Sequence, residues 1–220
     1  MSLTAGVVAV QGNVAEHAAA IERAAAAHGE DVTIREIRES GIVPDCDLLA
    51  LPGGESTTIS RLVHDEGIAE EIRAHVAAGK PLLATCAGLI VASSDPRDDR
   101  IDSLDLIDAS VERNAFGRQK DSFEAPLSVD GLDGGREEES EDGTETERPF
   151  PAVFIRAPAI DEVGDATVLA EWNGRPVAVR DGPVVATAFH PELTDDDRIH
   201  RLAFFESEDA DAVVTAGDNR

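Results

Sequence analysis

The pattern that most constrains the fold is the alternation of short apolar runs with longer segments that favour helices. Leu3–Val10, Val32–Ile37, Asp47–Leu51 and Pro81–Thr85 have the composition of strands, and an alanine-rich stretch, Val14–His28, favours a helix. Apolar strands that alternate with helices are typical of a mainly parallel sheet. The sequence therefore predicts an α/β fold.

The second half of the chain has a different pattern. From about residue 104 to 188 the sequence predicts several short strands separated by turn signals. Trp172–Arg175 and Arg180–Pro183 are expected to form hairpin turns. Residues 195–206 then predict a final helix with an apolar face.

The length of 220 residues fits one compact domain with a substantial core. We assign residues 1–206 to that domain. Residues 131–148 are acidic and contain almost no apolar side chain, so we expect a mobile surface insertion there. Residues 207–220 are expected to form a flexible acidic tail.

The chain is strongly acidic, with 45 Asp and Glu against 19 Lys and Arg and a formal charge of -26. That field opposes binding to nucleic acid or to an anionic membrane. The only lysines are Lys80 and Lys120. Dense carboxylates with few lysines suit concentrated salt, where screening acts within about 3 Å at 1 M, so we expect a salt-loving source.

The two cysteines, Cys46 and Cys86, form no paired framework, and no secretory leader is recognisable. These features predict a cytoplasmic protein. No apolar run approaches the roughly 18 residues that would indicate a membrane span.

Cys86 follows the predicted strand Pro81–Thr85 and precedes a predicted helix, Ala87–Ala92. The run from Ala84 to Gly88 resembles the nucleophile elbow G-x-Nuc-x-G, with Ala84 in place of the first glycine. Backbone amides at such a corner can bind an oxyanion. A lone cysteine is more often a small buried apolar residue, and Cys46 is assigned that role.

His190 and Glu192 are two residues apart, and on an extended segment such residues project to the same side. In a catalytic reading His190 accepts the thiol proton of Cys86, and Glu192 orients the imidazole. The alternative is a solvated surface pair. The other histidines show no metal-like spacing and are assigned to helix surfaces, so no metal is expected: His17, His28, His64, His75 and His200.

Leu51–Ser56 contains a Gly-Gly pair at the carboxyl end of a predicted strand, where parallel sheets hold ligands. Glycines let backbone amides approach a small substrate closely. The alternative is a turn that starts a helix, with Ser56 or Thr57 as its N-cap.

Together these motifs make the chain similar to the glutaminase subunits of pyridoxal 5'-phosphate synthases. The resemblance covers Leu3 to about Phe205 and rests on the following blocks: Val10–Gly12, Pro52–Thr58, Thr85–Gly88, Val111–Gln119, Asp121–Glu124, Phe154–Pro158 and His190–Glu192. Ala84 and the acidic insertion are the departures from the family pattern.

The resemblance implies a three-layer α/β flavodoxin-like class I glutaminase fold, with a mainly parallel central sheet and additional antiparallel strands. It implies a catalytic triad of Cys86, His190 and Glu192, and an oxyanion hole formed by Gly54 and Ala87. The implied glutamine-binding residues are Gly54, Glu55, Ser56, Arg113, Ile155 and Arg156.

An arginine can clamp the carboxylate of glutamine while Glu55 faces its ammonium, and the spacing leaves open which arginine does so. In the implied reaction glutamine yields glutamate and ammonia without a cofactor. The implied partner is the barrel subunit of the synthase, which accepts the ammonia.

Two alternatives remain open at this stage. The chain could be the glutaminase of another amidotransferase, feeding histidine, purine or nucleotide synthesis. It could also be a non-catalytic regulatory subunit on the same fold, since fold alone does not fix function.

Overall fold

A computed structural model describes residues 2–113, 122–132 and 148–206. Residues 114–121, which cover parts of the family-like blocks Val111–Gln119 and Asp121–Glu124, lie outside the described residues, as do most of the expected insertion and the expected tail at 207–220. The assignment of residues 1–206 to one domain therefore stays a prediction.

A seven-stranded sheet forms the centre of the molecule. Its four parallel strands in the first half of the chain confirm the predicted ones within two residues at each end: β1 Leu3–Val8, β2 Val32–Ile37, β3 Leu48–Leu51 and β4 Leu82–Thr85. Every residue of β3 and β4 is buried, so both faces of the sheet are covered. The fold is thus the layered α/β arrangement that was expected.

The later strands are short, as predicted, and have these bounds: β5 Ser93–Asp95, β6 Ile107–Glu112, β7 Phe123–Leu127, β8 Phe150–Phe154, β9 Ala159–Val163, β10 Thr167–Trp172, β11 Arg175–Asp181 and β12 Val184–Thr187. The central sheet has the order β10-β11-β12-β4-β3-β1-β2, beside the smaller sheets β5-β6-β9 and β7-β8. Strand β12 runs parallel to β4, and β10 and β11 extend the sheet antiparallel.

Both predicted hairpin turns are confirmed. Trp172 pairs with Arg175, and Asn173 and Gly174 between them have φ of 52° and 74°, as a two-residue turn of this hand requires. The second hairpin closes with Asp181 opposite Val184.

The helices are α1 Val14–His28, α2 Ser56–Asp65, α3 Ile68–Ala77, α4 Ala87–Ala92 and α5 Arg198–Phe204. Helix α1 has the predicted bounds, whereas α5 is shorter than expected and α3 was not foreseen. Helix α1 packs with α5, and α2 packs with both α3 and α4. Within the described part of the chain, no helix has the length and apolarity needed to cross a membrane.

Aromatic packing fixes the segment that follows β12. Phe189 is fully buried, and its ring centroid lies 5.7 Å from those of both Phe150 and Phe154. The next residue, His190, donates its backbone N–H to the carbonyl of Val153 at 2.9 Å. The main chain of His190 is therefore held by β8 and by the aromatic cluster.

Candidate active site

Cys86 occupies the corner between β4 and α4. Its φ of 50° and ψ of -105° are strained for a residue with a side chain. The backbone N–H of Cys86 donates to the carbonyl of Thr187 at 2.8 Å, which ties the corner to β12. The predicted strand-to-helix position of Cys86 is confirmed.

Small residues around this corner are required by close backbone contacts. A side chain at Gly88 would collide with the carbonyl of Leu51, and one at Gly12 would collide with the carbonyl of Gly53. Ala84 is fully buried in β4. The loop after β3 can therefore approach Cys86 closely.

His190 and Glu192 form a buried pair. His190 Nδ1 lies 2.7 Å from Glu192 Oε1, and the two residues are only 5% and 4% exposed. The surface-pair alternative is thereby excluded. Because a carboxylate only accepts, Nδ1 carries the proton, which leaves Nε2 of His190 for the thiol.

The electrostatic interactions of this pair favour a positively charged His190 beside a negatively charged Glu192. Burial acts to lower the pKa of His190, but hydrogen bonds with Cys86 and Glu192 outweigh it and raise that pKa well above its ordinary value. Burial acts to raise the pKa of Glu192, but His17 and the hydrogen bond from His190 outweigh it and lower that pKa. An imidazolium beside a carboxylate is thus the stable state.

Glu192 has further neighbours that sequence reasoning did not identify. Asn13 Nδ2 donates to Glu192 Oε1 at 3.2 Å, and His17 Nε2 lies 3.5 Å from Glu192 Oε2. Asn13 belongs to the Gln11–Asn13 turn. Its position directly after β1, at the same sheet edge as Cys86, was the available signal.

The placement of histidines on helix surfaces is wrong for three of them. His17, His75 and His200 are 0%, 5% and 0% exposed. Each lies on the inward face of an amphipathic helix, where burial lowers its pKa. His28 is exposed, as predicted.

A pocket of about 320 Å³ opens above Cys86 and His190. It brings together every predicted glutamine-binding residue and Ala87, while Glu192 lies behind His190. The lining residues are Gln11, Asn13, Gly53, Gly54, Glu55, Ser56, Cys86, Ala87, Ile90, Arg113, Ile155, Arg156 and His190. This volume suits a small substrate such as an amino acid.

One wall of the pocket is charged. Glu55 lies 3.7 Å from Arg113 and 3.6 Å from Arg156, distances of loose ion pairs. Arg113 also donates a hydrogen bond to Asp98 at 2.9 Å, and Asp98 accepts another hydrogen bond from Arg100. Nothing in the sequence spacing links residue 98 to residue 113, so this contact was not predicted.

Gln11 and Ile155 contribute through amide and carbonyl groups. The side-chain oxygen of Gln11 accepts the N–H of Glu55 at 2.8 Å, which fixes the loop after β3. The carbonyl of Ile155 lies 3.9 Å from Cys86 Sγ. Among the described residues, no group of three or more His, Cys, Asp or Glu is placed to hold a metal ion.

The family model for SNO glutamine amidotransferases matches residues 7–208. The chain belongs to the SNO glutamine amidotransferase family. This membership makes the protein a glutamine amidotransferase, as the motifs at Cys86 and His190 had suggested.

Two curated relatives support the SNO assignment. One from Halobacterium salinarum, "Pyridoxal 5'-phosphate synthase subunit PdxT", is 69% identical over 94% of this chain and 95% of its own length. A protein of the same name from Haloarcula marismortui is 67% identical over 94% of this chain and 98% of its own length. Both organisms are halophiles, in agreement with the acidic composition.

A solved structure described as a glutamine amidotransferase shares the fold of this SNO family member. Its TM-score is 0.74 and its sequence 39% identical, covering 90% of this chain and 96% of the other. A second structure, of PurLQS from Thermotoga maritima, has a TM-score of 0.60 at 17% identity and shows a likeness of fold alone.

Proposed function

We propose that the protein is the glutaminase subunit of a pyridoxal 5'-phosphate synthase, and that it hydrolyses glutamine with a Cys86–His190–Glu192 triad. The observation that carries the proposal is the single pocket in which Cys86 and His190 meet all six glutamine-binding candidates. Identities of 67–69% to proteins named as subunits of that synthase support its metabolic role.

In the proposed reaction Cys86 Sγ attacks the side-chain amide carbon of glutamine. A tetrahedral intermediate forms, and its oxyanion is bound by the backbone amides of Gly54 and Ala87. Ala87 is the first residue of α4, so its N–H has no acceptor within the helix.

His190 transfers the protons in both half-reactions. It takes the thiol proton and returns a proton to the leaving nitrogen, so that the C–N bond breaks and ammonia departs. The remaining glutamyl thioester is attacked by water with His190 as base, which yields glutamate and frees Cys86. Glu192 holds the ring by its 2.7 Å contact with Nδ1.

The charged wall is proposed to bind the α-amino and α-carboxylate groups of glutamine. Glu55 would pair with the ammonium, and an arginine would pair with the carboxylate. Arg156 is the more available arginine, because its side chain is 67% exposed whereas Arg113 is held by Asp98. Ser56 and Ile155 line the space for the side-chain amide.

In the proposed function the ammonia is passed on to a synthase. Near neutral pH, free ammonia would be protonated and lost to solvent. We therefore propose that a synthase barrel subunit docks over the pocket and receives the ammonia. Both cysteines are unpaired, which fits a reducing compartment, and we assign the reaction to the cytoplasm.

Ammonia release from glutamine in high salt tests this proposal, with and without the cognate synthase and with Cys86→Ala as the matched variant. We expect release that the synthase stimulates and that Cys86→Ala abolishes. Release stimulated only by a different synthase would overturn the metabolic assignment but keep the triad. Absence of release with any partner would favour a regulatory subunit.

A further inference from the structure

The two oxygens of Glu192 have unequal partners. Oε1 accepts from His190 at 2.7 Å and from Asn13 at 3.2 Å. Oε2 is buried and, among the described residues, makes no hydrogen bond; His17 Nε2 lies 3.5 Å from it. A buried carboxylate oxygen without a hydrogen-bond donor destabilises the folded protein. A donor group that faces Oε2 would therefore stabilise this arrangement.

His17 joins this carboxylate to the strand that carries the nucleophile. Its Nε2 also lies 3.1 Å from Oγ1 of Thr85, the residue before Cys86. The same hydroxyl accepts the backbone N–H of Gly53 at 3.2 Å. One buried imidazole therefore contacts the groups that position His190, Cys86 and the substrate-binding loop.

The tautomer of His17 follows from its surroundings. A proton on Nε2 points toward Glu192 Oε2 and Thr85 Oγ1, both of which can accept it. A proton on Nδ1 would instead turn the Nε2 lone pair toward the carboxylate in a site of low dielectric. The Nε2–H form is therefore favoured.

His17 acts on Glu192 as a neutral donor. The titratable groups that face it are Glu192, His190, Glu16 and His200, the last with its ring centroid 5.7 Å away. Burial lowers the pKa of His17, so near neutral pH its ring faces the carboxylate without adding a cation. A second cation would compete with His190 for the charge of Glu192.

On the basis of the proposed glutaminase mechanism, we propose that His17 is a positioning residue of that reaction. Its Nε2–H lies between Thr85 Oγ1 and Glu192 Oε2, and this contact helps to hold the carboxylate that orients His190 relative to Cys86. His17 does not line the pocket, so it acts on turnover rather than on glutamine binding.

The first test compares His17→Leu, which removes the donor, with His17→Gln, which can keep one. We expect His17→Leu to lower kcat by about 10- to 100-fold, by analogy with the loss that follows removal of an outer-shell partner in metal sites. KM should stay within about twofold, and His17→Gln should recover most of the activity. His75→Leu, a buried helical histidine bonded to the carbonyl of Pro81, is the matched control.

The second test measures the reactivity of Cys86 in the absence of glutamine. The rate at which iodoacetamide alkylates Cys86 depends on the Cys86–His190 pair, and Cys86→Ala corrects for any reaction at buried Cys46. We expect the pH dependence of this rate to change in His17→Leu and to return to the native profile in His17→Gln. A loss of packing alone would not shift the profile.

Thr85→Val and Thr85→Ser supply the same comparison if His17→Leu does not fold. Valine removes the shared hydroxyl and should reproduce the loss of kcat, whereas serine should not. Folded His17→Leu and Thr85→Val proteins with native kcat and a native alkylation profile would overturn the proposal. If the native chain releases no ammonia, the proposed function fails, while the alkylation comparison still decides the role of His17.

Discussion

At the scale of single residues, Gly53 is where the loop after β3 comes nearest to the catalytic pair. A Cβ placed on Gly53 would lie 2.6 Å from Cε1 of His190 and 3.2 Å from Cβ of Cys86. The backbone of Gly53 is not in the left-handed region, so alanine would meet no conformational strain there. The cost of a side chain falls on the catalytic geometry.

Gly53→Ala should therefore keep the fold and lose turnover. Displacement of His190 by about 1 Å is expected to lower kcat about 100-fold. Steady-state ammonia release gives kcat, and denaturant unfolding checks that stability is retained. A variant with native kcat would show that the loop can move away from His190.

Asp98 holds the pocket-lining residue Arg113 but does not itself line the pocket. Hydrogen bonds from Arg100 and Arg113 lower its pKa, so it remains an anion that holds Arg113. Asp98→Asn should raise KM for glutamine about 5- to 10-fold with little change in kcat, because Arg113 loses its fixed partner.

The control for Asp98 is Asp95→Asn, which alters a nearby carboxylate paired with Arg97 and Ser110. It should leave both constants unchanged. Equal effects of the two substitutions would mean that the Arg113 contact is irrelevant to glutamine.

The proposed catalytic residues could be located from sequence because each belongs to a local motif. The Cys86 corner and the His190–Glu192 pair need only neighbouring residues to be recognised. His17, Thr85 and Asp98 were not identified, because their contacts join different segments of the chain. His17 and Thr85, for example, are 68 residues apart in the sequence. Periodicity and spacing indicate which segments end at the sheet edge but not which of their side chains touch.

At the scale of secondary-structure elements, periodicity predicted the central strands and the bounds of α1. Strand signals were strong because β3 and β4 are buried on both faces and, apart from Thr85, consist of continuous apolar residues. The inward faces of α1, α3 and α5 were harder to read, because a histidine occupies each one. A polar residue on the buried face of a helix interrupts the apolar stripe by which that face is recognised in the sequence.

These buried histidines predict an acid sensitivity of the helical layers. Burial lowers the pKa of His17 and His75 and lowers that of His200 to about 3. A group whose pKa is lower in the folded state stabilises the fold above its unfolded pKa, near 6.5, and this contribution is lost as the pH falls. His190 has a raised pKa and is charged in both states below about 6, so it does not oppose this slope.

The free energy of unfolding should therefore fall between about pH 6.5 and pH 4.5, before most carboxylates titrate. Each fully neutral buried histidine contributes a slope of up to about 1.4 kcal/mol per pH unit. His200→Leu should reduce the slope by up to that amount in denaturant titrations at constant salt. An unchanged slope would show that His200 does not remain neutral in the folded protein.

At the scale of the whole molecule, the dominant property is the charge of -26. Several of the positive charges are already paired with carboxylates, as Arg97 is with Asp161 and Glu162. The excess carboxylates repel one another across the surface and disfavour the compact state. Salt shortens the range of this repulsion from about 10 Å at 0.1 M to about 3 Å at 1 M.

Stability should consequently rise with NaCl up to molar concentrations, and the dependence should follow net charge. Combining Glu30→Gln, Asp31→Asn and Glu39→Gln removes three exposed negative charges and should flatten the rise in unfolding midpoint. Combining Arg61→Gln and Arg175→Gln removes two exposed positive charges and should steepen it. Sucrose at matched osmolality separates screening from solute exclusion, since it leaves the repulsion unscreened. Equal salt slopes in the two variants would mean that the acidic surface stabilises the protein through something other than relief of its own repulsion.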